Sequence, residues 1–226
     1  MDIEANLKAY LNAREPTARY TSFDYCFNHF QSHRDHPAEL SSSSGMELSC
    51  LHLGFYLASW GMLRGSSPLL MRSIKHYAPV IEVIASASPS IWEIDAHAYT
   101  DEAIGALRQT ASQLRSAFPE GASDILVTKI MLGVFGCVPA FYTYFKKGFR
   151  AATFGKKSLK KVADFYRDNK EIIEAHRVHT LDFASGKETT RRYTRAKVID
   201  MVFFVEGVSN LRNAIVPGTP GTDRQP

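Results

Sequence analysis

"LGVFGCVPAFYTYFKKGF", from Leu132 to Phe149, begins as an apolar run, breaks at Pro139, turns aromatic and ends in basic residues. One lysine, two glycines and the proline interrupt the wider apolar stretch, residues 125–145. A membrane-spanning helix needs roughly 18 uninterrupted apolar residues. We therefore expect a core helix, a turn at Pro139 and a second helix that carries aromatic side chains towards a basic cluster, and no membrane segment.

The composition of the 226-residue chain favours a globular protein with a large core, because 45% of its residues are apolar and 12% are aromatic. Its three cysteines are far apart and form no C-x-x-C pair, which argues against a disulfide framework and against a zinc site. The first 25 residues lack the apolar centre of a signal peptide. We predict a cytoplasmic protein with no bound metal and no cofactor.

Apolar residues recur at helical spacing along most of the chain, as at Ile104, Leu107 and Leu114. Residues 178–194 instead alternate in character around a central Ser-Gly-Lys sequence, which favours a short β-hairpin. We therefore predict a mainly α fold of about 8–10 helices, with at most this one hairpin.

The helices are expected to form one compact domain over residues 1–214, with any subdivision near residues 119–123. Residues 215–226 are rich in proline and glycine and are predicted to be a disordered tail.

A helix is predicted over residues 68–85, kinked or split by its internal proline. A long amphipathic helix is predicted over residues 158–176.

The net charge of +4 hides an uneven distribution. Residues 128–197 contain 16 basic and 6 acidic residues, a net charge of +10. The densest part, which we call the basic segment, is residues 146–161, where no acidic residue separates the cations. Its seven basic residues are Lys146, Lys147, Arg150, Lys156, Lys157, Lys160 and Lys161. Such a concentration of like charge indicates an anionic partner.

Phe145, Phe149 and Phe154 alternate with these cations. Aromatic side chains stack on unpaired bases, and phosphates supply the matching counter-charge. The basic segment therefore favours nucleic acid as the partner. The alternative is a solvated basic face whose phenylalanines belong to the core.

A second candidate site is the sequence "WGMLRGSSPLL", residues 60–70. Gly65 lets the chain turn, and Ser66 and Ser67 precede a predicted helix that begins at Pro68. The free N–H groups of a helix start, together with Arg64, can hold a phosphate or a carboxylate. The alternative is ordinary helix capping, with Arg64 paired to a carboxylate of the chain.

One segment resembles a known family. "TKIMLGVFGCVPAFYTYF", from Thr128 to Phe145, is similar to a segment of helix-hairpin-helix DNA glycosylases, where a Thr/Ser-Lys helix leads to a proline-containing element ending in aspartate. The wider chain, with "SFDYCFNHF" (22–30), "LGFYLASWGMLRGSS" (53–67) and "YTRAKVIDMVFF" (193–204), resembles an uncharacterised bacterial all-helical family. This second resemblance implies no activity.

The glycosylase resemblance nominates Lys129 and Tyr142 as candidate catalytic residues. Lys129 corresponds to the lysine beside the active site, and Tyr142 stands where those enzymes carry the catalytic aspartate. A neutral phenol cannot stabilise positive charge on the sugar as that aspartate does. The phosphate-binding hairpin is replaced by "PEGASDIL", residues 119–126. Base excision by that mechanism is therefore not expected. Lys129 is expected on the helix surface, with an amine nucleophile as the alternative.

Three hypotheses follow for the function. The first is a nucleic-acid-binding protein, a degenerate relative of the glycosylases, in which the basic segment contacts phosphates and Tyr142, Tyr144 and Phe149 approach bases. The second is an enzyme or sensor for a small anionic metabolite or nucleotide, held at residues 64–67. The third is a protein-interaction module with an acidic partner.

Overall fold

Ten α-helices, several short 3-10 helices and one two-stranded antiparallel sheet form residues 1–215, the part of the chain that the computed structural model describes. The helices are α1 (Ile3–Leu11), α2 (Ser22–Ser32), α3 (Met46–Ser59), α4 (Ala78–Ala85), α5 (Asp101–Ser116), α6 (Asp124–Phe135), α7 (Thr143–Phe149), α8 (Lys156–Asp168), α9 (Lys170–Ala175) and α10 (Arg195–Ile215). The strands are β1 (His179–Leu181) and β2 (Glu188–Arg192), within the predicted hairpin. The predicted mainly α fold is confirmed.

Helix α6 begins where Ser123 caps it, its hydroxyl accepting a hydrogen bond from the N–H of Leu126. It ends at Gly136, which has the left-handed backbone (φ 67°) typical of glycine after a helix. Between these ends it is buried on nearly all sides. Pro139 follows, and the chain then runs back along α6, where the N–H of Phe141 donates to the Thr128 hydroxyl (2.8 Å) before α7 begins.

Helices α7 and α10 approach each other through two glycines. A Cβ atom on Gly207 would lie 2.0 Å from the carbonyl oxygen of Tyr144, and one on Gly148 would lie 2.5 Å from that of Phe203. Only glycine leaves room for this contact. The close approach brings Tyr144 against Phe204, with ring centres 5.7 Å apart.

Two predicted helices differ from the structure. Residues 68–85 contain 3-10 helices at Pro68–Met71 and Ile74–Tyr77, and only the last part is α-helical. Pro79 lies in the first turn of α4, where its missing N–H removes no helical hydrogen bond. The helix predicted over 158–176 begins earlier and divides into α8 and α9 at Asn169, whose side chain donates to the carbonyl of Phe165 (2.9 Å).

The buried side chains form one apolar cluster that runs from Leu7 to Phe203 and includes residues on both sides of the 119–123 connection. A single domain over residues 1–214 requires such a shared core. The tail predicted for residues 215–226 lies, apart from Ile215, outside the described residues. Within residues 1–215 no helix combines the length and the apolar character needed to cross a membrane.

Candidate functional site

A cavity of about 310 Å³, which we call the aromatic cavity, opens where α6, α7 and α10 meet the chain that follows α3. Its walls are aromatic and basic, and no acidic residue lines it within the described chain. The residues that line it are Arg19, Tyr20, Trp60, Gly61, Met62, Arg64, Ser123, Ile125, Lys129, Tyr142, Thr143, Tyr144 and Phe204.

Two arginines line the aromatic cavity. Arg19 donates to the carbonyl of Ser59, and its guanidinium lies 5.3 Å from the ring centre of Tyr20. Arg64 is exposed and lies against Gly61, where an added Cβ would come within 2.8 Å of its Nε atom. These contacts direct positive charge to the cavity, which suits an anionic ligand.

Lys129 lies in the wall of the aromatic cavity and is only 4% exposed, so the expected position on the helix surface is wrong. Its ammonium group donates to the Trp60 carbonyl and lies 5.0 Å from the ring centre of Tyr142. Burial lowers the pKa of Lys129 to about 8, although Asp200 opposes this effect. A fraction of the amine is therefore neutral near physiological pH.

Tyr142 and Trp60, which both line the aromatic cavity, each carry a buried hydrogen-bond donor without a partner in the described part of the chain. The Tyr142 hydroxyl and the Trp60 indole N–H are buried and have no hydrogen-bond partner among the described residues. Burial raises the pKa of Tyr142 well above 10, so its hydroxyl stays protonated. Two buried donors without acceptors fit a ligand that brings carbonyl or phosphate oxygens.

Asp200 is a buried carboxylate close to this site that sequence reasoning missed. Its Oδ1 atom accepts from the N–H of Ala140 (3.1 Å), and its Oδ2 atom lies 3.8 Å from the Nζ atom of Lys197. Burial raises the pKa of Asp200 to about 6 and lowers that of Lys197 to about 8. The only sequence signal was a pair of charges within the apolar stretch 196–204.

Burial therefore shifts the pKa of Lys129 towards neutral pH, and it does the same for the coupled pair Lys197 and Asp200. Groups with such pKa values can exchange protons with a ligand under physiological conditions. Of the three, Lys129 lines the aromatic cavity, and Lys197 donates instead to the hydroxyl of Tyr10 (3.0 Å). Lys129 is thus the group placed to meet a bound molecule.

Three residues of the basic segment have intramolecular partners. Lys156 and Lys160 both bind the carboxylate of Asp101, at 3.0 and 2.9 Å. The ammonium of Lys161 donates to the carbonyl of Phe149 at 2.6 Å and so caps the end of α7. These three cations support the packing of α5, α7 and α8.

The other four cations have no carboxylate partner among the side chains of residues 1–210, and we call them the basic surface. They are Lys146, Lys147, Arg150 and Lys157. Lys147 lies one helical turn after Thr143, a residue of the aromatic cavity, so the cavity and the basic surface adjoin on α7. Phe145 and Phe149 are core residues, which excludes the expected approach of Phe149 to a base.

Arg150 ends α7 with φ 55°, a left-handed backbone that usually belongs to glycine. It is the only non-glycine residue with positive φ in the part of the chain described here. A non-glycine residue at a strained backbone position is a reason to infer that its side chain has a function.

The predicted anion site at residues 64–67 is only partly assembled. Arg64 lines the aromatic cavity, but Ser66 and Ser67 do not. The Ser67 hydroxyl donates to the Met62 carbonyl (2.6 Å) and accepts from the N–H of Leu69 (3.3 Å), which is local capping. The helix that follows is a 3-10 helix of four residues.

Histidine, cysteine and acidic side chains form no cluster able to hold a metal ion in the portion of the chain that the structure describes. Comparisons with known protein families, with curated proteins and with solved structures found no match. The function is therefore inferred from the geometry of the aromatic cavity and the basic surface.

Proposed function

We propose that the protein binds single-stranded nucleic acid, with one unpaired nucleotide in the aromatic cavity and neighbouring phosphates on the basic surface. The observation that carries this proposal is the continuity of the two features on α7. Thr143 and Tyr144 line the cavity, and Lys146, Lys147 and Arg150 follow within two turns.

The cavity has the groups that a nucleotide requires. Tyr144 is half-buried and offers a ring on which a base can stack. The unpaired donors of Tyr142 and Trp60 suit the carbonyl oxygens of a base edge, and Arg19 and Arg64 suit its phosphate. A duplex keeps its bases stacked inside, so we expect a preference for single strands.

The proposal covers binding and not base excision. Tyr142 stands where the glycosylases carry their catalytic aspartate, and a protonated phenol cannot offset positive charge on a sugar. The resemblance to those enzymes is compatible with a relative that binds without that chemistry.

A free nucleotide or related anionic metabolite is the second candidate ligand. The cavity volume of about 310 Å³ is at the lower end of the range for small-molecule sites. In this case Arg19, Arg64 and the donors of Tyr142 and Trp60 would be enough to bind the ligand, and the basic surface would contribute little to the affinity.

Fluorescence anisotropy tests these candidates with a labelled single-stranded oligonucleotide, its duplex and an unlabelled mononucleotide competitor. We expect the single strand to bind more tightly than the duplex and the mononucleotide to compete only weakly. Full displacement by the mononucleotide at equal concentration would favour the second candidate. Absence of binding by both the single strand and the duplex would contradict the proposed function and leave the second candidate and the protein-interaction hypothesis.

A further inference from the structure

A second cavity, of about 520 Å³, lies between the hairpin, residues 92–97 and the start of α10. We call it the arginine cleft, because five arginines line it. They are Arg34, Arg177, Arg191, Arg192 and Arg195. Arg195 and Phe204, which lines the aromatic cavity, lie nine positions apart on α10, a distance of about 13.5 Å along the helix axis. The two cavities are therefore separate sites.

Three of these arginines are neutralised by carboxylates of the chain. Arg34 pairs with Glu93, and Arg177 pairs with Glu174 at 3.1 Å. Arg195 binds Glu174 at 2.5 Å and Asp95 at 3.3 Å. These pairs form part of the packing around the cleft.

Arg191 is different, because it is half-buried and has only neutral partners. Its Nη1 atom donates to the side-chain oxygen of Asn28 (3.0 Å) and to the Asn28 carbonyl (3.2 Å). No carboxylate lies within ion-pair distance of it among the side chains of residues 1–210. Burial and the nearby Arg34 both lower the pKa of Arg191, as expected for a guanidinium without a carboxylate partner. The guanidinium is held in place with its charge unmatched.

Trp92 supplies an independent second observation at the arginine cleft. The residue lines the cleft and is only 5% exposed. Its indole N–H is buried and has no acceptor among the described residues. An unpaired donor and an unmatched guanidinium in residues that line the same cleft suit the same kind of ligand, one that brings negatively charged oxygen atoms.

We propose that the arginine cleft binds a phosphate-type oxyanion, with Arg191 as its main charge partner and the indole N–H of Trp92 as an additional donor. Arg192 also lines the cleft, but its guanidinium donates to the Nε2 atom of His179 (3.3 Å), so it is not counted as a charge partner. Two kinds of molecule can supply this oxyanion: a free phosphate compound, or a nucleic acid whose backbone phosphate enters the cleft. This site does not depend on ligand binding in the aromatic cavity.

Isothermal titration calorimetry of the full chain with inorganic phosphate and with pyrophosphate tests this proposal, at ionic strength held constant with chloride. We expect Arg191→Gln to weaken phosphate binding about tenfold or more and Trp92→Phe to weaken it about two- to tenfold. Arg108→Gln, an exposed arginine on α5, is the control that leaves binding unchanged. Circular dichroism checks that each variant is folded, and Trp92→Phe, which keeps the apolar ring, serves if Arg191→Gln does not fold.

The proposal is overturned if none of the probes binds, or if binding is lost in Arg64→Gln and retained in Arg191→Gln. A parallel titration with the single-stranded oligonucleotide separates the two sources. Weakening of both phosphate and oligonucleotide binding by Arg191→Gln identifies the nucleic-acid backbone as the source. Weakening of phosphate binding alone identifies a free phosphate compound. Failure of the oligonucleotide to bind wild-type protein, with phosphate still bound, contradicts only the proposed function.

Discussion

The ammonium nitrogen of Lys129 lies 5.0 Å from the centre of the Tyr142 ring, so the two residues form one wall of the aromatic cavity. They meet because α6 ends at Gly136 and the turn at Pro139 returns the chain. A cation beside an aromatic ring is stabilised by the ring's negative face. The wall therefore combines positive charge with aromatic surface, which is the combination that a nucleotide requires.

Arg150→Gly should separate stability from binding. Glycine tolerates the left-handed backbone at the end of α7, so the free energy of unfolding should stay the same or rise by up to about 1 kcal/mol. The variant should nevertheless bind the oligonucleotide more weakly, because one phosphate contact is lost. Urea unfolding and anisotropy measure the two effects. Unchanged affinity would remove Arg150 from the proposed interface.

Tyr144→Ala should weaken binding of single-stranded oligonucleotide by about 1–3 kcal/mol, since it removes the half-buried ring on which a base stacks. Tyr144→Phe keeps the ring and should bind like the wild type. Phe183→Ala is the matched control, because Phe183 is an aromatic residue 78% exposed on the hairpin and outside the cavity. Equal affinities for Tyr144→Ala and Phe183→Ala would show that no base enters the cavity.

Gly207→Ala should reduce the free energy of unfolding by about 1–3 kcal/mol or more, because its Cβ would collide with the Tyr144 carbonyl. Gly105→Ala is the control, since a Cβ there meets nothing within 4 Å on α5. That variant should be more stable by about 0.5–1 kcal/mol. Chemical denaturation measures both changes. Similar effects of the two substitutions would contradict the close contact between α7 and α10.

His29 should make the protein less stable in acid. Burial, with His52 and His33 nearby, lowers the pKa of His29 from 6.5 to about 3. As the pH falls below about 6.5, the unfolded chain binds a proton on His29 that the folded protein does not bind until about pH 3. The contribution of His29 to stability is therefore lost across this window.

Comparison with His29→Gln isolates this effect from the raised pKa of Asp200, which acts with the opposite sign between about pH 4 and 6. The variant should lose less stability than the wild type between pH 6.5 and 4, as measured by urea unfolding midpoints. Parallel pH profiles for the two proteins would mean that His29 titrates normally when folded.

The sequence predicted those parts of the fold that local signals specify. Ser123 and Gly136 mark the beginning and end of α6, and the Ser-Gly-Lys sequence marks the turn of the hairpin. The 3-10 helices of residues 68–77 were missed because Ser67 and Pro68 indicate where a helix begins. They do not determine whether that helix is α or 3-10, or how long it is.

The candidate site depended on long-range contacts, which residue spacing does not reveal. Lys129 and Tyr142 were both identified, but their place beside Arg64 depends on the packing of α6 against the chain after α3. Asp101 binds Lys156, which is 55 positions away in the sequence, so Lys156 does not belong to the basic surface. Asp200 was missed because charged residues are normally placed at the surface, and only burial shows otherwise.

The salt dependence of oligonucleotide binding tests the central claim most directly. The variant to compare with the wild type replaces the four residues of the basic surface by glutamine. Its matched control makes the same charge change at exposed lysines elsewhere: Lys8→Gln, Lys75→Gln, Lys170→Gln and Lys187→Gln.

Four phosphate contacts to a single strand predict a slope of about −3 in a plot of log association constant against log salt concentration. We expect at least that slope for the wild type and the matched control. For the basic-surface variant we expect a slope that is less steep by about 3, which leaves only the contribution of Arg19 and Arg64. Salt-independent binding by the wild type, or equal slopes for all three proteins, would contradict the proposed function.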